Sequence, residues 1–192
     1  MPSWHTWRTF GTAPTRDLAL RSSRTCVCQG PVLADAGSTM GFRSIVGAGA
    51  ARAGGRWNEL GQPALYLSDS HATAIAEYQQ DLPRPGTLTA YDVEAQAILD
   101  LVDLSVRRAV GIDETFLRQP WKHARDVEHR RPPSWDFAVA AVSRGWHGLR
   151  VPSVQTPGTN LVLWRWNETD APTVRHIDPL GDLPHDQSSW QS

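Results

Sequence analysis

The segment at residues 64–83 constrains the fold more than any other part of the chain, because it encodes a strand and then a helix. Leucine alternates with tyrosine and serine over 64–68, which is typical of a strand with two different faces. The serine and aspartate residues at 68–70 are candidate N-caps for the alanine-rich segment 71–80, and Pro83 lies just beyond its end. The sequence therefore predicts a strand, a short turn and a helix.

The rest of the chain mixes short strand and helix patterns. Strands are predicted at 87–93, 96–101, 149–154 and 161–166, and helices at 106–111 and from Ser134 to a stop at Gly145. Residues 118–133 show no period, and the chain from His176 onward has the composition of a proline-containing tail. Without regular alternation of strand and helix, an α+β fold with a central sheet and flanking helices is favoured.

The chain of 192 residues suits one compact domain with extensions. Changes in composition predict an irregular N-terminal extension at 1–40, a domain at 41–180 and a polar C-terminal tail at 181–192. An alternative prediction is that translation of the natural protein starts at Met40. Hydrophobic residues make up 40% of the sequence, which excludes wholesale disorder.

Charge and cysteine content narrow the class of protein. With 19 basic and 20 acidic side chains, the chain lacks the basic excess of a protein that binds nucleic acid directly. No apolar run approaches the roughly 18 residues that cross a membrane, and no secretory segment follows Met1. Cys26 and Cys28 are too few for a disulfide framework or a zinc site, and the histidines lack metal-binding spacing. We expect a cytoplasmic protein without a metal.

The segment 7–24 has some features of a transit peptide, but its prolines and tryptophans do not favour that interpretation.

Four polar residues are candidates for chemistry, although the common nucleotide-binding and protease motifs are absent. Arg56 follows two glycines in a loop at 54–58, here called the glycine loop, that would let the backbone approach a ligand closely. Tyr66 lies in the predicted strand, Glu77 in the following helix and Ser153 after a proline. A tight turn between strand and helix would bring the first three to one cleft. The spacing alone also allows each of them to be an ordinary surface residue.

Two ordered blocks of sequence resemble the RES domain family of bacterial toxins. The first comprises Gly47-Ala48-Gly49-Ala50, Gly54-Gly55-Arg56-Trp57-Asn58, Gly61, Pro63-Ala64-Leu65-Tyr66, Ala74 and Glu77, and the second comprises 148–153 and 160–163. Together they span about residues 41–165. The resemblance implies a fold similar to the ADP-ribosyltransferase toxins, a cleft for NAD+ as substrate, and cleavage of its nicotinamide–ribose bond. It also implies a helix-turn-helix antitoxin that blocks the active site.

The resemblance assigns roles to particular positions. Those implied to be catalytic are Arg56, Tyr66, Glu77 and Ser153, and those implied to bind substrate are Arg43, Gly55, Trp57, Asn58 and Asn160. The family also has an arginine ahead of the glycine block. Arg43 is the candidate for it, with Arg8, Arg21 or Arg24 as alternatives.

These residue types suit the cleavage of a cationic nicotinamide. The leaving group departs neutral, so the main task is to stabilise positive charge on the ribose, and Glu77 would do this. Arg56, helped by Arg43, would bind the diphosphate in a bidentate way. Tyr66 would stack on nicotinamide or ribose, and Ser153 would bond to the ribose or orient an acceptor.

The acceptor of the sugar stays open at the level of sequence. Inorganic phosphate as co-substrate, or water, would make the protein an NAD+ phosphorylase or glycohydrolase without a prosthetic group, which is the leading hypothesis. A protein side chain would make it a mono-ADP-ribosyltransferase. A third hypothesis is a binding module without catalysis, in which the glycine loop engages a partner protein.

Overall fold

The computed structural model describes residues 20–29, 47–79 and 87–180, the first of these ranges by its backbone alone. The strands are β1 (Leu20–Gln29), β2 (Leu65–Ser68), β3 (Thr87–Ala95), β4 (Ile98–Asp100), β5 (Gly148–Pro152), β6 (Thr159–Leu163) and β7 (Thr173–Ile177). The helices are α1 (Ala48–Ala53), α2 (His71–Tyr78), α3 (Leu104–Ala109), α4 (Glu114–Leu117), α5 (Trp121–Asp126) and α6 (Pro133–Ser143). In these ranges no helix is long and apolar enough to cross a bilayer.

The described strands form one sheet in the order β4-β5-β6-β2-β1-β3-β7. β4 and β5 are parallel, and every other neighbouring pair is antiparallel. A mixed sheet flanked by helices confirms the predicted α+β class. The sequence predicts an irregular extension at 1–40. In the structure, β1 lies in that range and pairs with β2 and β3 in the middle of the sheet. The boundaries of the domain at 41 and 180 stay a prediction.

The core lies on both faces of the sheet. Alternation in β2 directs Leu65 and Leu67 to one face, where they pack with Tyr91, Val93 and other buried residues. Tyr66 points to the opposite face, which is covered by α3, α4 and α6. The predicted two-faced strand is therefore confirmed, and β2 joins both halves of the core.

Helix α2 begins where the sequence predicts. Ser70 is the N-cap, and its hydroxyl accepts a hydrogen bond from the backbone N–H of Thr73 at 3.2 Å. The helix ends at Tyr78, two residues before the predicted end. Glu77 therefore lies in the last turn of α2, beside the end of the sheet that β2 and β6 share.

Two regions differ from the sequence prediction. The segment 118–133 contains α5, and the residues before it form α4, whose N-cap Asp113 accepts a bond from the N–H of Phe116. Helices of four to six residues are too short to show a hydrophobic period. β7 includes His176, where the tail was predicted to start. It has one buried residue, Val174, and is held by pairing with β3.

Gly148 gives a direct test of the packing between β5 and β6. A Cβ at this position would overlap the carbonyl oxygen of Val162 and the side chain of Leu163. We expect Gly148→Ala to lower the free energy of unfolding by about 1–3 kcal/mol in denaturant titrations. Gly49→Ala is the control, since nothing lies within 4 Å of its added Cβ in α1. Equal stability of the two variants would contradict this packing.

Candidate active site

The carboxylate of Glu77 is held by hydrogen bonds from two other elements. Its Oε1 accepts a bond from Ser153 Oγ at 2.7 Å and another from Asn160 Nδ2 at 2.7 Å. Ser153 follows β5 and Asn160 lies in β6, so three separate elements meet at this carboxylate. The structure thus brings together three of the site residues predicted from the sequence.

The hydroxyl of Ser153 is fully used in this arrangement. It donates to Glu77 and accepts from the backbone N–H groups of Gln155 and Thr156, at 3.0 and 3.1 Å. A serine hydroxyl has one donor and two acceptor positions. Ser153 is also buried. In this structure it therefore orients the Glu77 carboxylate, and a bond to a ribose would have to replace one of the three.

Ser68 belongs to the same network and was not predicted as a site residue. Its Oγ donates to Asn160 Oδ1 at 2.7 Å, which leaves the Asn160 amide nitrogen directed at Glu77. The sequence showed Ser68 only as a candidate cap of α2. Its position on the same strand face as Tyr66 was visible in the alternation, but its pairing with Asn160 in the sheet was not.

The glycine loop approaches Tyr66 more closely than any side chain at residue 55 would allow. Gly54 has a positive φ of 67°, and an added Cβ on Gly55 would overlap the Tyr66 hydroxyl and Asn58 Oδ1. The glycines were predicted to let the backbone approach a ligand. The observed reason for Gly55 is the approach of the Tyr66 side chain.

The guanidinium of Arg56 is half-buried and anchored by one nitrogen. Its Nη1 donates to the carbonyl oxygens of Leu117 at 3.1 Å and Gln119 at 2.7 Å. Nε and Nη2 make no hydrogen bond to any part of the chain that the structure describes. Burial lowers the pKa of Arg56, while the negative charge of Glu77 opposes that shift. Arg56 and Glu77 therefore lie within electrostatic reach of each other.

The hydroxyl of Tyr66 is enclosed although its ring is half-buried. It accepts from the backbone N–H of Trp57 at 3.0 Å and donates to Asn58 Oδ1 at 2.8 Å. Burial raises the pKa of this hydroxyl well above its usual range, against the smaller opposite effects of the Trp57 bond and the Arg56 charge. The hydroxyl thus fixes the glycine loop, and only the ring is left for stacking.

Trp57 and Asn58 are buried, and the binding of substrate expected of them stays a prediction. Trp57 packs edge-on against Phe137 in the core, with ring centroids 5.8 Å apart. Asn58 Nδ2 donates to the carbonyl oxygens of Ala50, Glu59 and Gln62, and its Oδ1 accepts from Tyr66. The Asn58 amide thus ties this loop to α1 and β2.

The remaining predicted residues cannot be placed against the site. Arg43 and Arg8 lie outside the described residues, and Arg21 and Arg24 lie in β1, which is described by its backbone. Across 20–29, 47–79 and 87–180, no group of three or more His, Cys, Asp or Glu residues is arranged to hold a metal ion.

The fold is a mixed sheet flanked by helices, and its candidate site combines an anchored arginine with a fixed carboxylate. Comparison with known families identifies the class of protein. The model of the RES domain matches residues 33–186. The chain therefore belongs to the RES domain family. The matched range contains Arg43 and every candidate from Gly55 to Asn160, but not the alternatives Arg8, Arg21 and Arg24. It begins before residue 41, where the domain was predicted to start.

Relatives and a solved structure agree with this assignment. Proteins named NAD(+) phosphorylase MbcT from Mycobacterium bovis and Mycobacterium tuberculosis are 32% identical over 99 residues, which is 45% of this chain and 53% of each relative. The chain thus matches about half the length of these curated relatives. The crystal structure of the M. tuberculosis MbcT-MbcA toxin-antitoxin complex aligns with a TM-score of 0.55 at 21% identity. The alignment covers 82% of this chain and 85% of the matched chain in that structure, which supports the same fold.

The raised pKa of Tyr66 predicts how stability depends on pH. The pKa of tyrosine in an unfolded chain is about 10. Below that pH the buried, protonated hydroxyl of Tyr66 contributes its full stabilisation of the folded state. This contribution is lost as the pH rises toward the higher pKa of the folded state. We expect the free energy of unfolding to fall with pH more steeply in the wild type than in Tyr66→Phe, by about 1.4 kcal/mol per pH unit above about pH 10. Denaturant titrations between about pH 8.5 and 11 would measure both slopes.

At neutral pH the same variant should be less stable by about 1–2 kcal/mol, because the Trp57 N–H and Asn58 Oδ1 lose their partner. Identical slopes in the two proteins would show that the hydroxyl is exposed to solvent.

Proposed function

We propose that this protein cleaves the nicotinamide–ribose bond of NAD+, with inorganic phosphate as the preferred acceptor, and that it acts as a toxin of a toxin–antitoxin pair. The observation that carries the proposal is the Glu77 carboxylate, which is fixed by Ser153 and Asn160 and lies within electrostatic reach of Arg56. Relatives named NAD(+) phosphorylase support the choice of substrate.

Arg56 is suited to bind the diphosphate of NAD+. Two bonds to backbone carbonyls hold Nη1, so the guanidinium is already oriented before a ligand arrives. Nε and Nη2, which bond to nothing in the described part of the chain, present donors along one edge of the guanidinium, and that edge matches two phosphate oxygens. Burial lowers the pKa of Arg56, but a guanidinium is so strong a base that arginine remains charged in proteins.

Glu77 is suited to stabilise the sugar as the bond breaks. The bonding electron pair leaves with the nicotinamide nitrogen, which becomes neutral, while positive charge develops on the ribose. A fixed carboxylate favours that charge more than it favours the bound substrate, which is the requirement for catalysis. Bonds from Ser153 and Asn160 hold the carboxylate in place, so it need not reorient during the reaction.

The acceptor replaces nicotinamide on the ribose. A phosphate oxygen forms a bond to the anomeric carbon that nicotinamide leaves, giving nicotinamide and ADP-ribose 1″-phosphate. Attack by water gives ADP-ribose instead. No prosthetic group is required for either product.

The first experiment identifies the acceptor. Purified protein is incubated with NAD+ with and without inorganic phosphate, and the products are resolved by mass. We expect faster loss of NAD+ with phosphate and a product heavier than ADP-ribose by one phosphate group. ADP-ribose alone would indicate hydrolysis, and modified protein would indicate ADP-ribosyl transfer. Intact NAD+ under every condition would leave the binding module as the remaining hypothesis.

Glu77→Gln tests the role of the carboxylate. Glutamine keeps an oxygen that can accept the bonds from Ser153 and Asn160, but it removes the negative charge. We expect turnover to fall by about 100-fold or more with affinity for NAD+ within a fewfold of the wild type. Glu114→Gln is the matched control, since that carboxylate is exposed on α4 and pairs with Arg107 and Arg118. Equal turnover of Glu77→Gln and wild type would contradict the catalytic role.

We further propose that a helix-turn-helix antitoxin covers this site and suppresses the activity. The chain would be purified together with the protein encoded next to it, and the cleavage of NAD+ by the complex compared with that by the isolated chain. We expect the complex to be at least about tenfold less active. A complex with full activity would show that the partner binds elsewhere.

A further inference from the structure

Two indole N–H groups bind the backbone on either side of Arg56. Trp135, in α6, donates from Nε1 to the carbonyl oxygen of Gly55 at 2.7 Å. Trp164, directly after β6, donates from Nε1 to the carbonyl oxygen of Trp57 at 2.7 Å. Both donors come from elements that are distant in sequence from the glycine loop, so they tie the loop to two different parts of the fold.

The N–H groups of the same two loop residues are also paired. The N–H of Gly55 donates to the carbonyl oxygen of Asn58 at 2.9 Å, and the N–H of Trp57 donates to the Tyr66 hydroxyl at 3.0 Å. All four backbone polar groups that flank Arg56 therefore have partners. Two of the four partners are indoles, and an indole can only donate, so it is matched to a carbonyl oxygen.

We propose that Trp135 and Trp164 are positioning residues that set the place of the Arg56 guanidinium for the diphosphate of its nucleotide ligand. The inference rests on the proposed function, because it takes Arg56 as the diphosphate-binding residue. The backbone on each side of Arg56 is fixed by an indole, and Nη1 is fixed by the carbonyls of Leu117 and Gln119. Both ends of the side chain are thereby held, which preorganises the edge of the guanidinium formed by Nε and Nη2.

The alternative is that the two tryptophans only fill the core. In that case the ring would matter and the N–H would not. Trp146 provides the comparison, because it shares a core cluster with Trp164 and its exposure of 8% is close to the 7% of Trp135 and of Trp164. Its indole makes no hydrogen bond within the described part of the chain.

The test replaces each indole by a ring without a donor. Trp135→Phe and Trp164→Phe are compared with Trp146→Phe, which loses a similar volume of buried ring. ADP is the binding probe, because it carries the diphosphate and cannot be cleaved at a nicotinamide bond. Calorimetry gives its Kd, and the cleavage of NAD+ gives KM and kcat.

We expect each of the first two variants to raise the Kd of ADP and the KM for NAD+ by about fivefold, with kcat within about twofold of the wild type. Trp146→Phe should change the melting temperature without changing either constant. An unchanged Kd in Trp135→Phe or Trp164→Phe, or an equal rise in Trp146→Phe, would overturn the proposal.

A second variant covers the case in which Phe at 135 prevents folding. Site-specific incorporation of benzothienylalanine at that position replaces the N–H by sulfur and keeps the shape of the ring, and the same rise in Kd is expected. Binding of ADP to the wild type without cleavage of NAD+ would reject the proposed function and leave this inference testable. Absence of ADP binding by the wild type would overturn it.

Discussion

The pairing of β2 with β6 is the constraint on which both halves of the site depend. In this register Ser68 lies opposite Asn160, so one side chain can orient the other, and the amide of Asn160 then reaches Glu77. Two residues earlier in β2, Tyr66 stands on the same face and holds the glycine loop through its hydroxyl. A slip of one residue would send both side chains to the opposite face and separate them from their partners.

The two charged groups of the site are stabilised in different ways. Glu77 is held by side chains from β6 and from the loop after β5, whereas Arg56 is held by backbone carbonyls and by the fixed loop around it. Burying either charge alone would be costly, but Glu77 accepts hydrogen bonds, Arg56 donates them, and the opposite charges attract each other. Their opposite charges therefore permit both to be partly withdrawn from water.

Local patterns in the sequence were sufficient to predict β2, α2 and the α+β fold class. Alternation gave the two faces of β2, and Ser70 gave the start of α2. β1 and β7 were missed because each is held by pairing with distant strands rather than by a pronounced pattern of its own. Ser68 was missed for the same reason, since its partner Asn160 is 92 residues away. The burial of Asn58 also depends on acceptors that a motif does not show.

Cleavage of a dinucleotide requires one group that anchors the substrate and another that acts on the reacting sugar. The roles proposed for Arg56 and Glu77 divide in this way. Binding energy from the diphosphate, which does not react, can be used to hold the sugar beside the carboxylate, provided that the anchor itself does not move. The anchor that we propose is Arg56, and the backbone carbonyls of its two neighbours are bound by Trp135 and Trp164. The carboxylate is fixed by separate contacts, so each half keeps its geometry without the other. Both parts are attached to the paired strands β2 and β6, through Tyr66 on one side and Asn160 on the other, so the site depends on this strand pairing as much as on the individual residues.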